Sequence, residues 1–197
     1  MRSKPELKLL PGLACFVILL SLPSGIYAET FVSGNITQNT TWTLAESPYI
    51  ITGDLAVRHS EFRNSPTATL TIEPGVVVRF EPGTGLYIGY RGGAYNHSWF
   101  GALSAQGTAS APITFTSNAA TPAPGDWKGI YFGDPTQDAL TTLDHCVVEY
   151  GGHTQNANLY FYNSNPSIMN STIQYSSVNG IYLNAASPSV KNCFIGE

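Results

Sequence analysis

The pattern that decides the fold lies late in the chain: it reads LDHCVVEY at 143–150, IMNSTIQY at 168–175 and VKNCFIGE at 190–197. The segments start 25 and then 22 residues apart, and each has an aliphatic residue, then His or Asn, then Cys or Ser. A second segment, NLYF at 158–161, returns as GIYL at 180–183 after another 22 residues. Short strand-like runs repeated at this period are typical of a solenoid in which every turn is one unit.

Each unit holds three short runs of β-branched and aromatic residues, without helical periodicity. Between the second and third runs, the alternation of inward-facing side chains shifts by one residue. This shift requires a sharp corner at His145, Asn170 and Asn192. Asn and His are among the few non-glycine residues that tolerate a positive φ. The sequence therefore predicts an all-β fold, a right-handed parallel β-helix that forms a three-sheet solenoid of about five coils.

The start of the chain indicates export. Residues 1–28 have the order of a signal peptide: basic residues, an apolar run at 13–22 and a cleavage site at Ile26-Tyr27-Ala28. The apolar run is too short for a membrane span, so we expect a secreted, extracellular or cell-surface chain without a span in its mature part.

The rest of the chain divides into a cap and a repeat domain. Residues 29–50 are expected to form an N-terminal cap over the open end of the solenoid, and the β-helix repeat domain fills 51–197. The last repeat stops in mid-strand, which predicts an uncapped C-terminal end and a truncated chain. A longer parent chain or end-to-end stacking on another copy would cover that end.

The charge of the chain excludes one class of partner. Beyond the signal peptide, six basic and twelve acidic residues leave a net charge of −6. No basic stripe remains to neutralise phosphates, so nucleic acid is not an expected partner.

The two cysteines beyond the signal peptide, Cys146 and Cys193, occupy the same position two coils apart. Two strand spacings are roughly 9.6 Å, which exceeds the limit of about 7 Å for a disulfide. We expect two free, inward-facing thiols that act as small hydrophobic groups.

Three earlier segments carry a resemblance to known proteins: TLTIEPGV at 69–76, APITFTS at 111–117 and GDWKGI at 125–130. They are similar to the opening coils of secreted bacterial right-handed β-helix repeat proteins, which share their architecture with the pectate-lyase-like superfamily. The resemblance covers roughly residues 30–197. It is specific for the fold and says little about activity.

Tyrosines recur at one place in successive coils, between apolar neighbours: Tyr87, Tyr131, Tyr160 and Tyr182. Strand alternation puts the tyrosines outside the solenoid, spaced by about 4.8 Å. Aromatic faces in such a stripe pack against sugar rings, and the resemblance implies that the outer face of this sheet is a glycan groove. The alternative is that stacked tyrosines stabilise a ladder of strands.

The insertion at 89–101 is a candidate lip of that groove, because it adds Arg91, Tyr95 and Trp99 on the side of the Tyr87 strand. The alternative is that its aromatic side chains fold onto the coils. A weaker candidate, Gly151–Gln155 with His153, is interpreted as a solvated turn.

The sequence gives little support for catalysis. Lyase chemistry on uronic polysaccharides needs a strong base, often with Ca²⁺ held by clustered carboxylates. Acidic pairs do not recur at coil spacing, and Asp126 and Asp134 are interpreted as turn residues. We therefore predict no catalytic residue, no metal site and no cofactor, with Ca²⁺ unsupported.

The leading hypothesis is a secreted, non-catalytic β-helix module that binds a polysaccharide or a cell-surface glycan along one outer face. One alternative is the N-terminal part of a polysaccharide lyase or glycoside hydrolase. The other is a structural adhesin or stalk segment.

Overall fold

The computed structural model describes residues 28–61, 66–92 and 97–196. Apart from Ala28, the predicted signal peptide lies outside these residues. Two short 3-10 helices occupy Leu44–Glu46 and Asp138–Leu140. The strands, in chain order, are β1 (Thr30–Ile36), β2 (Thr40–Trp42), β3 (Tyr49–Val57), β4 (Ala68–Ile72), β5 (Val77–Phe80), β6 (Leu86–Ile88), β7 (Tyr90–Gly92), β8 (His97–Trp99), β9 (Gly101–Gln106), β10 (Ile113–Ser117), β11 (Ile130–Phe132), β12 (Thr142–Asp144), β13 (Cys146–Glu149), β14 (Ala157–Tyr162), β15 (Ser167–Met169), β16 (Thr172–Gln174), β17 (Asn179–Asn184), β18 (Ser189–Lys191) and β19 (Phe194–Ile195).

Parallel pairing stacks these strands into three faces. The first face holds the C-terminal half of β3, then β6, β11, β14 and β17. The second face holds β2, β4, β9, β12, β15 and β18. The third face holds the N-terminal half of β3, then β5, β10, β13, β16 and β19. Because the chain passes from the first to the second to the third face in every coil, the predicted parallel β-helix is confirmed.

The long strand β3 connects two of the three faces. Its first residues, Tyr49–Ile51, pair with β5, and its last residues, Leu55–Val57, pair with β6. The first and third faces are therefore parts of one hydrogen-bonded sheet.

The segment predicted as a cap, 29–50, contributes strands of its own. β1 pairs in parallel with both halves of β3, and β2 pairs with β4. The buried Trp42 ring stacks on Tyr49 at a centroid distance of 4.5 Å. This segment thus extends the ladders of the helix, and its role as a cap over the end of the core stays a prediction.

The sharp corners lie where the sequence predicts them. His145, Asn170 and Asn192 connect the second face to the third with φ angles of 48°, 48° and 53°. The corners from the third face to the first use Tyr150 and Tyr175, also at positive φ. These two tyrosine rings stack on each other at 5.2 Å, so the conformation repeats from coil to coil.

The core is a set of apolar columns that run along the helix axis. One column stacks the Phe132 ring on Phe161 at 4.8 Å. Another contact places the buried Trp127 ring 3.9 Å from that of Phe80, while the indole N–H donates to the Glu149 carbonyl at 2.8 Å. Identical apolar groups at one coil spacing stack in van der Waals contact, which stabilises the register of the strands.

The two cysteines are free, as predicted. Cys146 is buried and Cys193, in the last described coil, is half-buried. Burial raises the pKa of the Cys146 thiol to about 12, so the side chain stays protonated and packs as an apolar group.

The last described coil, β17 to β19, exposes apolar side chains: Phe194 is 58% exposed and Leu183 is 49% exposed. The expected end-to-end stacking, or a longer parent chain, stays a prediction. Within the described ranges, no helix is long and apolar enough to cross a membrane.

Candidate functional site

The predicted tyrosines form one continuous ladder on the outside of the first face. Tyr131 lies directly opposite Tyr87 on one neighbouring strand and Tyr160 on the other, and Tyr160 lies opposite Tyr182. Ala56 occupies the same position on β3, so the ladder of rings begins at Tyr87. The flanking residues of each strand in β6, β11 and β14 point into the core, which fixes the tyrosines outward.

The ring orientation differs from the expected flat aromatic stripe. Tyr131 and Tyr160 stack at 5.1 Å with planes 22° apart, and Tyr160 and Tyr182 stack at 5.0 Å with the same angle. Because the strands are spaced by about 4.8 Å along the same direction, each ring covers the face of the next. These rings present only their edges and hydroxyls on the outer surface. Their stacking supports the alternative that the tyrosines stabilise the ladder of strands.

The first pair of the ladder is arranged differently. The Tyr87 and Tyr131 rings are 6.0 Å apart and tilted by 46°. Rings at this tilt are not stacked face to face, which leaves a wedge between them. This wedge lies beside the insertion that follows β6.

That insertion is an antiparallel hairpin made of β7 and β8. It begins at Gly89, where φ is +69° and an added Cβ would lie 2.7 Å from the Pro135 backbone. The hairpin therefore rests against the turn that follows β11. The Arg58 guanidinium lies over the Tyr90 and Trp99 rings at 5.3 and 5.5 Å, a cation–π contact that fixes the hairpin to the coil before it.

The hairpin, the wedge and the turn after β11 enclose an open groove of about 650 Å³. This size is within the usual range of small-ligand sites. The side chains and backbone that line it belong to Tyr87, Gly89, Tyr90, Arg91, Tyr131, Gly133, Asp134, Pro135, Gln155 and Tyr162.

One wall of the groove is an ion pair. Arg91 Nη1 lies 2.6 Å from Asp134 Oδ2, with the arginine side chain 46% and the aspartate 19% exposed. The Asn163 side-chain amide donates to the other carboxylate oxygen of Asp134. The interpretation of Asp134 as only a turn residue is incomplete, because its carboxylate holds a groove residue in place.

A second ion pair lies at the opposite end of the same strands. Lys128 Nζ donates to both carboxylate oxygens of Asp54, at 2.7 and 2.9 Å. The hydrogen bond to Asp54 raises the pKa of Lys128, burial lowers it by less, and the nearby Tyr87 adds to the rise. Lys128 precedes β11 and Asp134 follows it, so the two ion pairs flank the tyrosine ladder.

Burial determines the protonation state of Tyr131 in the groove. Burial raises the pKa of Tyr131 to about 12, with smaller contributions from Tyr160, Tyr162 and Asp134. Tyr131 is therefore a neutral phenol near neutral pH, able to donate one hydrogen bond and accept others.

The structure brings together three of the seven predicted site residues. Tyr87, Tyr131 and Arg91 line the groove, whereas Tyr160 and Tyr182 continue the ladder away from it. Trp99 packs against Tyr90 at 5.5 Å and does not line the groove, and Tyr95 lies outside the described residues.

The sequence-based site lacks seven of the ten lining residues, and two of these, Gln155 and Tyr162, show why. Residues 153–155 form a turn with His153 exposed, but the Gln155 side chain is half-buried and its Nε2 donates to Tyr87 Oη at 3.5 Å. Tyr162 follows Tyr160 by two positions, and strand alternation alone places both on the outer face. The sequence thus contained a signal for Tyr162, whereas it offered the segment of Gln155 only as a weaker candidate.

The other predicted aspartate, Asp126, fits the turn interpretation. It accepts hydrogen bonds from Ser117 Oγ at 2.6 Å and from the Ala123 backbone at 2.9 Å. Across the described ranges, no group of three or more His, Cys, Asp or Glu side chains is arranged to hold a metal ion.

Comparison with protein families supports this architecture. A family model described as "pectate-lyase like beta helix domain" matches residues 34–174. The match extends from within β1 to the end of β16 and includes every groove residue. Comparisons with curated proteins and with solved structures found no match.

Proposed function

Because this chain belongs to the family of pectate-lyase-like β-helix domains, we propose that it is a secreted, non-catalytic module that binds a carbohydrate chain in its groove. The observation that carries the proposal is the wedge between Tyr87 and Tyr131, which opens into the 650 Å³ groove beside the hairpin. Carbohydrate rings combine an apolar face with hydroxyl groups, and this site offers partners for both.

The groove combines aromatic surface with groups that form hydrogen bonds. Tyr87 and Tyr131 supply partly accessible rings, and their hydroxyls and the Gln155 amide donate and accept hydrogen bonds. Tyr162, 42% exposed, adds a third phenol at the groove margin. Shape and polar groups together favour a sugar over a purely apolar ligand.

The raised pKa values of Tyr131 in the groove and of Lys128 beside the ladder favour binding over lyase chemistry. A lyase needs a group that accepts a proton from the sugar near neutral pH. The pKa shifts of Lys128 and Tyr131 are upward, so both groups keep their protons under these conditions. Arg91 is held in an ion pair.

The test is affinity electrophoresis of residues 29–197 through gels that contain soluble polysaccharides. We expect at least one polysaccharide to retard the chain and Tyr87→Ala to weaken that binding by about tenfold or more. Tyr182→Ala is the matched control: it removes the same side chain from the same ladder, outside the groove, and is expected to bind like the original chain.

The outcomes separate the alternatives. Equal loss of binding in Tyr87→Ala and Tyr182→Ala would place the ligand along the whole ladder and not in the groove. Absence of retardation by every polysaccharide would refute the binding proposal. Unsaturated product that absorbs in the ultraviolet would replace it with a lyase.

A second candidate function is a stalk segment that stacks end to end with another copy. The exposed apolar side chains of the last described coil favour it, since Phe194 and Leu183 are about half exposed. Such surfaces promote association. The checking measurement is the sedimentation coefficient over a range of concentrations, and a monomer at every concentration would contradict stacking.

A further inference from the structure

Two cations beside the tyrosine ladder each form an ion pair with a carboxylate of the same chain. Arg91 contacts Asp134 at the carboxyl end of β11, and Lys128 contacts Asp54 at its amino end. Each pair consists of one cation and one carboxylate, so the two cations that flank the ladder have their charges balanced locally. A ligand that lies across the ladder meets two dipolar pairs and not two free cations.

The Lys128 pair depends on a specific feature of the neighbouring coil. Lys128 reaches from the coil of β11 past Gly85, on the coil of β6, to Asp54 on β3. A Cβ added at Gly85 would lie 3.0 Å from the Lys128 Cβ, so glycine leaves the space through which the lysine passes. The lysine is thereby directed along the ladder to a carboxylate of the same chain.

A third cation near the site, Arg58, contacts the aromatic rings of the hairpin. Its guanidinium lies over Tyr90 and Trp99, and its Nε donates to the Asn35 side-chain oxygen at 3.0 Å. Arg58 does not line the groove. It therefore leaves the charge balance inside the groove unchanged.

A polyuronate gains little from such a site. A sugar carboxylate that approaches Arg91 must share the guanidinium with Asp134, and two carboxylates this close repel each other. Beyond the signal peptide the chain itself carries a net charge of −6, which opposes the approach of a polyanion.

Neutral hydroxyl groups fit the same pairs well. The Arg91–Asp134 pair presents N–H donors beside carboxylate lone pairs, and adjacent sugar hydroxyls each donate and accept. The other polar groups of the groove, the Tyr87 and Tyr131 hydroxyls and the Gln155 amide, are uncharged hydrogen-bonding partners.

We infer that the groove selects neutral polysaccharides over uronic polysaccharides, with Asp134 as the specificity-determining residue. This inference rests on the proposed carbohydrate binding and adds the class of glycan. The physical reason is that the Asp134 carboxylate occupies Arg91, the groove cation that a uronate would need.

The test compares matched polymers in affinity electrophoresis of residues 29–197. The probes are polygalacturonate and alginate, each with its carboxylates intact or reduced to primary alcohols, together with neutral galactan, glucan, xylan and mannan. We expect retardation by neutral polymers, with each acidic form bound at least about tenfold more weakly than its neutral counterpart. Between about 20 and about 500 mM NaCl, binding to the neutral polymer should change by less than about twofold.

A variant tests the role of the carboxylate. Asp134→Asn keeps the shape of the side chain and removes the charge that neutralises Arg91. We expect the ratio of acidic to neutral binding to rise at least about threefold. Asp138→Asn is the control: this carboxylate accepts from Ser164 Oγ at 2.9 Å, lies outside the groove lining, and should leave the ratio unchanged.

The results distinguish this inference from the proposed carbohydrate binding on which it rests. Tighter binding of an acidic polymer than of its reduced form would overturn the neutral specificity and leave carbohydrate binding intact. An unchanged ratio in Asp134→Asn would overturn the assigned role of the ion pair. A chain that no polymer retards would refute the proposed function and this inference with it.

Discussion

Arg91 Nη1 and Asp134 Oδ2 lie 2.6 Å apart although 43 residues separate them in the chain. The contact joins the β7–β8 hairpin to the turn after β11 and closes one side of the groove. An ion pair this exposed contributes only about 0–1 kcal/mol to stability. Its main effect is on the shape and charge of the groove.

Arg91→Gln should therefore separate ligand affinity from stability. We expect the free energy of unfolding in urea to change by less than about 1 kcal/mol, while binding to whichever polysaccharide retards the chain weakens severalfold. A loss of stability well above that limit would show that the pair holds the hairpin, and in that case the affinity data would report misfolding.

Alkaline pH should destabilise the tyrosine ladder. The pKa of Tyr131 is raised to about 12 in the folded chain, whereas an unfolded tyrosine titrates near about 10. Between these values the unfolded state has lost a proton that the folded state keeps, so stability falls as pH rises through this window. Urea unfolding at intervals from about pH 9 to about pH 12 should show a shallower fall for Tyr131→Phe, and identical slopes would contradict the assignment.

Asn158 should be one of the most sensitive polar residues of the coils. Its fully buried amide accepts from the Gly151 N–H at 2.7 Å and donates to the Gln174 carbonyl at 2.7 Å and the Val148 carbonyl at 3.3 Å. Asn158→Ala leaves these backbone groups unpaired, so we expect a loss of about 3 kcal/mol or more in thermal or urea unfolding. The exposed Asn184→Ala should cost less than about 0.5 kcal/mol, and equal effects would refute the argument.

The corner residues should tolerate glycine better than a β-branched residue. Asn170 has a φ of 48°, and its amide donates to Asp144 Oδ1 at 2.8 Å. Both Asn170→Gly and Asn170→Val lose that bond, but valine adds the strain of a left-handed conformation. Unfolding in urea should show Asn170→Val less stable than Asn170→Gly by about 1–2 kcal/mol. The reverse order would contradict a backbone origin for the corner.

The two thiols should differ in reactivity. Cys146 is buried and its pKa is raised to about 12, whereas Cys193 is half-buried in the last described coil. With residues 29–197 at about pH 8, an alkylating reagent should modify one thiol in the native chain and two in denaturant. Cys193→Ser should remain unmodified until it unfolds, and rapid native labelling of that variant would show that the coils open around Cys146.

Much of the fold follows from local sequence pattern. The corners at His145, Asn170 and Asn192 could be predicted because a positive φ restricts the residue itself, whatever lies around it. The register of Tyr87, Tyr131 and their successors could be predicted because side-chain alternation fixes the face and the recurring tyrosine between apolar neighbours fixes the position.

The ring orientations depended on tertiary packing. Parallel stacking at 5.0–5.1 Å covers the faces of Tyr160 and its neighbours, whereas the Tyr87–Tyr131 pair tilts by 46°. Strand register places the Cβ atoms but leaves the side-chain torsions to their neighbours. The sequence therefore located the ladder but not the accessible wedge within it.

By itself, the sequence determined the coil, its corners and the outward tyrosines, since each depends on a local preference that recurs from coil to coil. Only the tertiary structure decided that Arg91 meets Asp134, that Gln155 reaches Tyr87, and that the groove lies at one end of the ladder. These contacts join residues from different coils through loops of unequal length. Their geometry depends on how the hairpin and turns pack against the stacked strands, and no periodic signal in the sequence encodes that packing.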